Sequence, residues 1–347
     1  MLVVLHLDAT PKQVDDLKAD LSTFGYGVHS ITGQERTVVA ATGGPFDDEE
    51  TLAERIRALP FVENVYQIDK PYRLASREHR AEPTIVEVRG VRIGEGCPVV
   101  VMAGPCTVES RDLLLSTARA VKESGATILR GGAYKPSTSP YGFPGMGEDG
   151  LKLLAEARDE TGLPVITEVM DPRAVEMVCQ YADILQIGTR NMQNYDLLRE
   201  VGRSRTPVCL KRGMSSKIEE WLQAAEYVLL GGNEQVILCE RGIRTFETFT
   251  RNMLDIAAVP AVRGLSHLPI IIDPSQASGR AALVPSLCLA SVAVGADGLL
   301  IEVHPEPQRA LKDGPQQVTP PIFAELMHQL APVANAIHRG IAHSPNA

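Results

Sequence analysis

The sequence predicts an α/β protein in which a small ferredoxin-like domain precedes a (β/α)8 TIM barrel. From Val99 onward, short apolar runs alternate eight times with amphipathic segments, which is typical of a parallel sheet covered by helices on its outer face. Eight such units over roughly 240 residues are what a closed barrel requires. The first part of the chain follows a different order, βαββαβ, which indicates a separate domain.

Residues 1–70 are predicted to form a four-stranded sheet with two helices on one face. The strands are expected at VVLHL, VHSIT, TVVAA and Val62 to Ile68, with one helix from Thr10 to about Phe24 and another from Asp47 to Leu59. No catalytic constellation lies in this domain. We therefore expect it to serve regulatory binding or assembly, with a purely stabilising appendage as the alternative.

Residues 71–98 are predicted to form a linker and a short hairpin, IVEVRGVRIG, and residues 99–340 the catalytic barrel. The expected barrel strands are VVVMAGPC, TILRGGAY, PVITEVMD, ILQIGTR, PVCLKRG, QVILCERG, PIIIDPS and GLLIEVHP. The helices between them include Arg111 to Ser124, Asp149 to Thr161 and Ser216 to Leu230. In a barrel of this kind all eight strand ends meet at one mouth.

The composition is that of a soluble globular protein, with 44% apolar and 22% charged residues. A net charge of -9 disfavours non-specific nucleic-acid binding. No apolar run approaches the roughly 20 residues of a membrane span, and the N-terminus lacks a signal-peptide pattern. The six cysteines show no paired spacing. We therefore expect a cytoplasmic protein with reduced cysteines that binds neither nucleic acid nor membrane.

Ionisable residues crowd the predicted strand ends, where the active site of such a barrel lies. Five of them are the cations Arg130, Lys135, Arg190, Lys211 and Arg241. Converging cations repel one another unless an anion neutralises them, and arginine forks bind carboxylate and phosphate oxygens bidentately. The expected ligand is a small, multiply charged phosphate ester, and the alternative is a set of separate surface ion pairs.

A second constellation at the strand ends combines Cys106, Glu302 and Asp313, with Gln276 between them in the chain. A thiolate and two carboxylates suit a divalent transition metal, which would polarise a substrate oxygen. A single cysteine at a strand end is also compatible with a buried core residue, so both interpretations stay open from these residues alone.

Long and specific motifs run through most of the chain: AGPCTVES, LRGGAYKPSTSPYGFPGMGEDGL, TEVMDP, QIGTRNMQN, LKRGMSSKIEEWLQAAEYVLLGGN, LCERGIRTFE, IEVHPEP and DGPQQ. They resemble the type I-beta 3-deoxy-D-arabino-heptulosonate 7-phosphate (DAHP) synthases, which carry an N-terminal ferredoxin-like domain. Members condense phosphoenolpyruvate with erythrose 4-phosphate in the first step of the shikimate pathway. The related 3-deoxy-manno-octulosonate 8-phosphate synthases use arabinose 5-phosphate. The resemblance implies a transferase of this kind.

The resemblance also implies roles for individual residues. Phosphoenolpyruvate would be bound by Arg130, Lys135, Arg190, Lys211 and Arg241. Catalysis would involve Lys135, Cys106 and Glu168, of which Glu168 would help to place the attacking water. A divalent metal (Mn, Co, Zn or Fe) would be bound by Cys106, the residue at position 276, Glu302 and Asp313.

Two positions depart from the family pattern. Where the family has DPSH, this chain has Gln276 in place of the histidine, and a glutamine oxygen is a weaker and harder ligand than imidazole. We therefore expect a metal site that is weakened or absent. Where the family has KPRTS, Ser137 replaces the arginine that grips the phosphate of the aldehyde, and Thr138 follows it. Ser137 and Thr138 remain the expected substrate-binding residues of this loop, at a cost of about 1.5–3 kcal/mol in acceptor binding.

These departures leave three hypotheses for the function. The leading one is DAHP synthesis. The first alternative is the same phosphoenolpyruvate chemistry on a different aldehyde, phosphorylated or not, in a specialised pathway, which Ser137 favours. The second is a non-catalytic paralogue that binds phosphoenolpyruvate or an effector, which Gln276 favours. By resemblance, the N-terminal domain would bind an aromatic amino acid effector, and the protein would be a homodimer or homotetramer.

Overall fold

The computed structural model describes residues 1–33, 36–43, 49–66, 71–136 and 141–343. The chain divides into two compact units, Met1–Pro71 and Tyr72–Ala347. Within the described residues, no helix is both long enough and apolar enough to cross a bilayer.

The N-terminal unit is an antiparallel sheet with helices. Its described elements are β1 (Leu2–Leu5), α1 (Pro11–Thr23), β2 (Gly27–Thr32), β3 (Thr37–Thr42), α2 (Glu49–Arg57) and β4 (Val62–Tyr66). The strand order across the sheet is β2-β3-β1-β4, with β1 antiparallel to both of its neighbours. The predicted βαββαβ order is confirmed. Asp47 and Ile68, at the predicted ends of α2 and β4, lie outside the described residues.

The helices of this unit pack on the two central strands. Leu17 and Leu21 of α1 and Ile56 of α2 share one buried cluster with Val3 and Val39. Such burial of apolar area is the main stabilising contribution in a domain of this size. The first strand is shorter than predicted, because its register with β4 shifts after Val4 and Leu7 is exposed.

The second unit is a closed barrel of eight parallel strands. In chain order these are β7 (Val100–Gly104), β8 (Ile128–Arg130), β9 (Val165–Val169), β10 (Ile184–Ile187), β11 (Val208–Lys211), β12 (Val236–Glu240), β13 (Ile270–Ile272) and β14 (Gly298–Glu302). The last strand pairs in parallel with the first, from Gly298 opposite Val100 to Glu302 opposite Gly104. The predicted barrel is confirmed.

The helices of the second unit follow the strands in the predicted alternation. They are α3 (Arg111–Glu123), α4 (Glu148–Thr161), α5 (Val175–Tyr181), α6 (Tyr195–Arg203), α7 (Ile218–Leu230), α8 (Ala258–Leu265), α9 (Pro274–Ser278), α10 (Val284–Ala293) and α11 (Pro320–Ala336). The short helix α9 begins directly after β13, with Asp273 as its N-cap, so it holds its residues at the mouth of the barrel.

Both faces of each barrel strand are buried, which explains why the strands read as continuous apolar runs. In β7, Val101 and Ala103 belong to the cluster shared with the helices, while Val100 and Met102 belong to the barrel interior. The hairpin of β5 (Val86–Val88) and β6 (Val91–Ile93) contributes its apolar residues to the interior cluster. The hairpin therefore packs against the side chains that fill the barrel interior.

Candidate active site at the mouth of the barrel

A pocket opens at the C-terminal ends of the barrel strands. Glu168 of β9, Gln186 of β10 and Lys211 of β11 line it from the strands themselves. Segments that follow the strands contribute five further cations and a carboxylate, namely Lys135, Arg190, Arg241, Arg251, Lys312 and Asp313. Side chains that are far apart in the chain meet here because all parallel strands end at the same edge.

The lining of this pocket carries an excess of positive charge. Six lysine and arginine side chains line it, against the two carboxylates Glu168 and Asp313. Like charges that converge in a partly buried site repel one another strongly, because little water screens them. The pocket is therefore suited to a ligand with two or more negative charges.

Two of the predicted cations form buried ion pairs at the floor of the pocket. Arg130 Nη1 lies 2.9 Å from Glu302 Oε1, and Lys211 Nζ lies 2.6 Å from Asp273 Oδ2. All four side chains are almost fully buried. Removing one partner of such a pair leaves an uncompensated charge, which is strongly destabilising. These two pairs neutralise the charges at the floor of the pocket. The excess positive charge therefore comes from the other cations that line it.

In the described part of the chain, Arg241 is a buried cation with two unused hydrogen-bond donors, while Arg130 has one, its Nε. Its Nη2 donates to Gln276 Oε1 at 3.2 Å, while Nε and Nη1 are buried without a partner among the described residues. Burial lowers the pKa of Arg241, and Arg251 lowers it further, while Asp273 opposes both. A buried donor without a partner costs about 1–3 kcal/mol. An anion bound beside Arg241 would remove that cost.

Glu168 is a buried carboxylate with one free oxygen. Its Oε2 accepts a hydrogen bond from Gln186 Nε2 at 3.3 Å, and its Oε1 has no partner among the described residues. Burial raises the pKa of Glu168, and Lys135 and Lys211 oppose that rise. A carboxyl group with a raised pKa at the wall of a cationic pocket can exchange a proton or orient water.

Gly188 provides the space that Glu168 occupies. A Cβ atom at position 188 would lie 2.0 Å from Glu168 Oε1. The backbone of Gly188, with φ -67° and ψ 155°, is one that any residue can adopt. Glycine is therefore needed here for the position of the carboxylate and not for the backbone conformation.

Three potential metal ligands converge beside the ion pair of Arg130. The ligand atoms of Cys106, Glu302 and Asp313 all lie within 4.8 Å of one another, which fits coordination to one ion. Cys106 Sγ lies 3.4 Å from Asp313 Oδ2. Burial, then the negative charge of Glu302, raises the pKa of the Cys106 thiol well above its usual value. The donor set fits a divalent transition metal, which would have to displace the thiol proton.

Gln276 lies between this cluster and Arg241. Its Oε1 accepts from Arg241, and its Nε2 donates to Glu302 Oε1 at 3.3 Å. The opposite orientation of the amide would place its NH2 group against the guanidinium and its oxygen against the carboxylate. Gln276 thus offers the cluster a hydrogen-bond donor, and its oxygen would reach a metal only after the amide turned.

A second glutamine mirrors this arrangement on the other side of Glu302. Gln316 Nε2 donates to Glu302 Oε2 at 2.7 Å, and Gln316 Oε1 accepts from Arg251 Nη1 at 3.0 Å. Arg130 and Lys135 hold the pKa of Glu302 well below its usual value, although burial alone would raise it. Glu302 is therefore an ionised carboxylate that is held on both of its oxygens.

The loop after β14 holds Asp313 in an uncommon backbone conformation. Asp313 has φ 51°, in the left-handed region. Gln317 fixes the loop, because its Oε1 accepts from Cys106 N at 3.1 Å and its Nε2 donates to Lys312 O at 2.8 Å. This one buried amide ties the backbone of Cys106 to the residue before Asp313.

Residues 75–338 match the family model of the DAHP synthetase I family, and residues 1–70 match that of the DAHP synthase ferredoxin-like domain. The chain belongs to the DAHP synthetase I family. It is 47% identical to a phospho-2-dehydro-3-deoxyheptonate aldolase of Thermotoga maritima, over 97% of this chain and 98% of that protein. It is 34% identical to a 2-dehydro-3-deoxyphosphooctonate aldolase of Syntrophotalea carbinolica, over 67% of this chain and 89% of that protein.

The solved structures agree with this assignment to the DAHP synthetase I family. The crystal structure of the phospho-2-dehydro-3-deoxyheptonate aldolase (DAHP synthase) of Thermotoga maritima superposes with a TM-score of 0.92 at 45% identity, and the match covers 98% of this chain and 99% of that one. A truncated form of that synthase superposes with a TM-score of 0.74 at 47% identity and covers 78% of this chain and 100% of that one. The predicted family and enzyme class are confirmed.

The structure brings most of the predicted DAHP synthase residues to one place. Lys135, Glu168, Arg190, Lys211, Arg241, Gln276 and Asp313 line the pocket, and Arg130, Cys106 and Glu302 lie in the layer beneath. Arg190 is exposed at the mouth, unlike the other predicted cations. Ser137 and Thr138 lie outside the described residues. The individual roles of all these residues remain predictions.

Four polar residues at the pocket or in the layer beneath it are among those that were not predicted from the sequence. Gln186 bonds Glu168, Gln316 bonds Glu302, Gln317 bonds the backbone of Cys106, and Arg251 lines the mouth. Gln186 is a polar residue inside an otherwise apolar strand, ILQI, and that interruption was a signal that could have identified it. The other three lie in loops, where no periodic pattern marks a side chain that faces the pocket.

Proposed function

We propose that the protein condenses phosphoenolpyruvate with erythrose 4-phosphate to give DAHP and inorganic phosphate, the first step of the shikimate pathway. The observation that carries this proposal is Arg241, which lines a pocket with six cations and two carboxylates and has two buried N–H nitrogens without a partner among the described residues. Phosphoenolpyruvate carries a phosphate and a carboxylate on three carbons, so one small molecule supplies the missing charge. The name of the Thermotoga maritima relative points to the same reaction.

The donor substrate would be held by the predicted cations. Arg241, Lys211 and Arg190 line the pocket, and we assign the phosphate to them. Lys135 and Arg130 lie on the side of Glu302 and Asp313, and we assign the carboxylate to them. This binding mode places the nucleophilic C3 of phosphoenolpyruvate toward Asp313, where the aldehyde would lie.

In the reaction, C3 of phosphoenolpyruvate forms a bond to the aldehyde carbon, and the aldehyde oxygen takes up a proton. Lys135 lies 3.8 Å from Asp313 Oδ2, and its pKa is raised because Cys106 and Glu302 outweigh its burial. It therefore stays cationic and stabilises the negative charge that develops on the aldehyde oxygen. Water adds to C2, with Glu168 as the group that orients it and accepts its proton. The C2–O bond to phosphate then breaks while the new C2 hydroxyl becomes the carbonyl of DAHP, and the hydroxyl proton leaves with the phosphate.

We propose that Cys106, Glu302 and Asp313 hold a divalent metal, Mn, Co, Zn or Fe. When bound, such an ion acts as a Lewis acid that polarises the aldehyde oxygen. Gln276 would join these three ligands only by giving up its hydrogen bond to Glu302, so we expect the affinity for the metal to be weakened.

The N-terminal unit, residues 1–70, is proposed to be regulatory. It matches the DAHP synthase ferredoxin-like domain model, and the catalytic residues assigned above all lie in the barrel, residues 99–340. We propose that it binds an aromatic amino acid effector and that the protein is a cytoplasmic homodimer or homotetramer.

The test is to strip the protein of metal, supply phosphoenolpyruvate and erythrose 4-phosphate, and follow phosphate release before and after adding Mn²⁺, Co²⁺ or Zn²⁺. We expect release that depends on the aldehyde and rises with metal. Release without metal would contradict the metal assignment. No release under any condition, with phosphoenolpyruvate still bound, would overturn the proposed reaction in favour of a non-catalytic role.

A further inference from the structure

The outer part of the pocket contains positive charge that the donor substrate does not use. Arg251 lines the pocket from the loop between β12 and α8, and Lys312 lines it from the loop after β14. Neither belongs to the five cations assigned to phosphoenolpyruvate. The Arg251 side chain is 39% exposed, so it lies where the pocket meets the solvent.

Arg251 is held in place by its surroundings. Its backbone N–H donates to Ser278 O at 3.0 Å, and the next residue, Asn252, donates to Ala277 O at 2.8 Å. A Cβ atom on Gly279 would lie 2.6 Å from Arg251 Cβ, so the glycine makes room for this side chain. Its Nη1 donates to Gln316 Oε1 and to Asp313 Oδ1, the latter at 3.4 Å. The guanidinium is therefore oriented before any ligand arrives.

Within the described ranges, the carboxylate that pairs with Arg251 is shared with a second cation. Asp313 carries one negative charge and lies within 4 Å of two cations, Arg251 at 3.4 Å and Lys135 at 3.8 Å. Arg251 also contributes to the lowered pKa of Arg241, which places the two guanidinium groups close enough to repel one another. A second anion beside Arg251 would relieve this repulsion.

The geometry points to Arg251, with Lys312 nearby, as the binding site for the phosphate group of the aldehyde substrate. This inference rests on the proposed function, because it needs a second phosphorylated substrate. In that reaction the aldehyde carbon lies beside Lys135 and Asp313, while the phosphate is three carbons away and extends toward the mouth. Arg251 reaches from Asp313 to the mouth, and its guanidinium group can bind the phosphate through two parallel N–H donors.

The test compares two aldehydes that differ only in the phosphate, erythrose 4-phosphate and D-erythrose, in the wild type and in Arg251→Ala and Arg251→Lys. Removing a charged partner of a phosphate should lower kcat/KM for erythrose 4-phosphate at least about tenfold in R251A, mainly through KM. For D-erythrose, kcat/KM of R251A should differ from that of the wild type by less than about threefold. R251K keeps the positive charge but lacks the paired N–H donors of the guanidinium group. Its kcat/KM for erythrose 4-phosphate should lie between those of the wild type and R251A.

Arg309→Ala is the matched control. Arg309 is an exposed arginine that precedes Lys312 in the loop after β14, it pairs with Glu306 and it does not line the pocket. Its loss removes the same charge from the same end of the barrel, and both aldehydes should react as in the wild type. Melting temperatures of all variants show whether they fold.

Erythritol 4-phosphate, which has no aldehyde, gives a second readout that needs no turnover. Its dissociation constant in the presence of phosphoenolpyruvate should rise at least about tenfold in R251A. Equal losses for both aldehydes would overturn the inference, because Arg251 would then act through Asp313. Unchanged binding of erythritol 4-phosphate would overturn it as well. If the wild type released no phosphate with either aldehyde, the proposed function would fail while the erythritol 4-phosphate measurement still tested Arg251.

Discussion

Substitutions of Gln276 distinguish an amide that binds a metal from an amide that holds the neighbouring carboxylate. The structure shows Gln276 bridging Arg241 and Glu302, with its NH2 group toward the metal-ligand cluster. If this bridge persists when metal binds, Gln276→Ala removes no ligand. Gln276→His, in contrast, supplies an imidazole nitrogen that coordinates without a competing hydrogen bond.

The magnitude follows from the bond that would have to break. For the Gln276 oxygen to reach a metal, the amide must release its hydrogen bond to the ionised Glu302, and such a bond contributes about 1.5–3 kcal/mol. That energy corresponds to roughly ten- to a hundredfold in affinity. We therefore expect Q276H to bind Co²⁺ at least about tenfold tighter than the wild type. Q276A should stay within about threefold of the wild type.

Cobalt binding to the metal-stripped protein can be followed by the absorption of the bond between Co²⁺ and the Cys106 thiolate, with a chelating dye as competitor to obtain the dissociation constant. Cys106→Ala identifies the thiolate band by losing it. Phosphate release in the same samples reports activity separately. A tenfold weaker Co²⁺ affinity in Q276A would refute the reasoning, because it would show that the native amide is a ligand. An unchanged Co²⁺ affinity in Q276H would also refute it, because the imidazole would then bind the metal no better than the native amide.

Three further substitutions test the donor site and Glu168. Arg241→Ala removes two unpartnered buried donors, so kcat/KM for phosphoenolpyruvate should fall at least about a hundredfold in steady-state kinetics, and a fall under threefold would contradict the assignment. Burial raises the folded-state pKa of Glu168 above the ordinary 4.5, so its ionisation opposes folding above that raised pKa. Glu168→Gln should therefore abolish activity yet raise the melting temperature at pH 8 above that of the wild type, and this gain should vanish below about pH 4. Gly188→Ala should lower kcat as strongly as E168Q in the same assay, because the new Cβ displaces the carboxylate, and full activity would show that Glu168 can move without loss.

The architecture and the general location of the chemistry could be predicted from the amino-acid pattern. Strands buried on both faces need mainly apolar residues, so runs such as VVMAG and III identify the barrel without an alternating pattern. The order of strands and helices then brings all strand ends to one mouth. For that reason Arg130, Glu168 and Lys211 could be assigned to a common site from the sequence alone.

The pairing of those side chains became visible in the folded chain and could not be predicted from the sequence. Arg130 reaches Glu302 across 172 residues and Lys211 reaches Asp273 across 62, and a strand-end position fixes a Cα atom but not the direction of a long side chain. Arg212, next to Lys211, turns instead to the buried carboxylate Glu240.

The loops were the least predictable part of the site. Arg251 and Gln316 are positioned by contacts with α9 and β14 that come from distant parts of the chain. The orientation of the Gln276 amide likewise depends on which charges lie on its two sides. The sequence therefore identified which residues meet at the mouth of the barrel. The packing of the loops decided which of them are neutralised and which keep free donors for a substrate, because partners for buried charges are chosen by proximity in the folded chain.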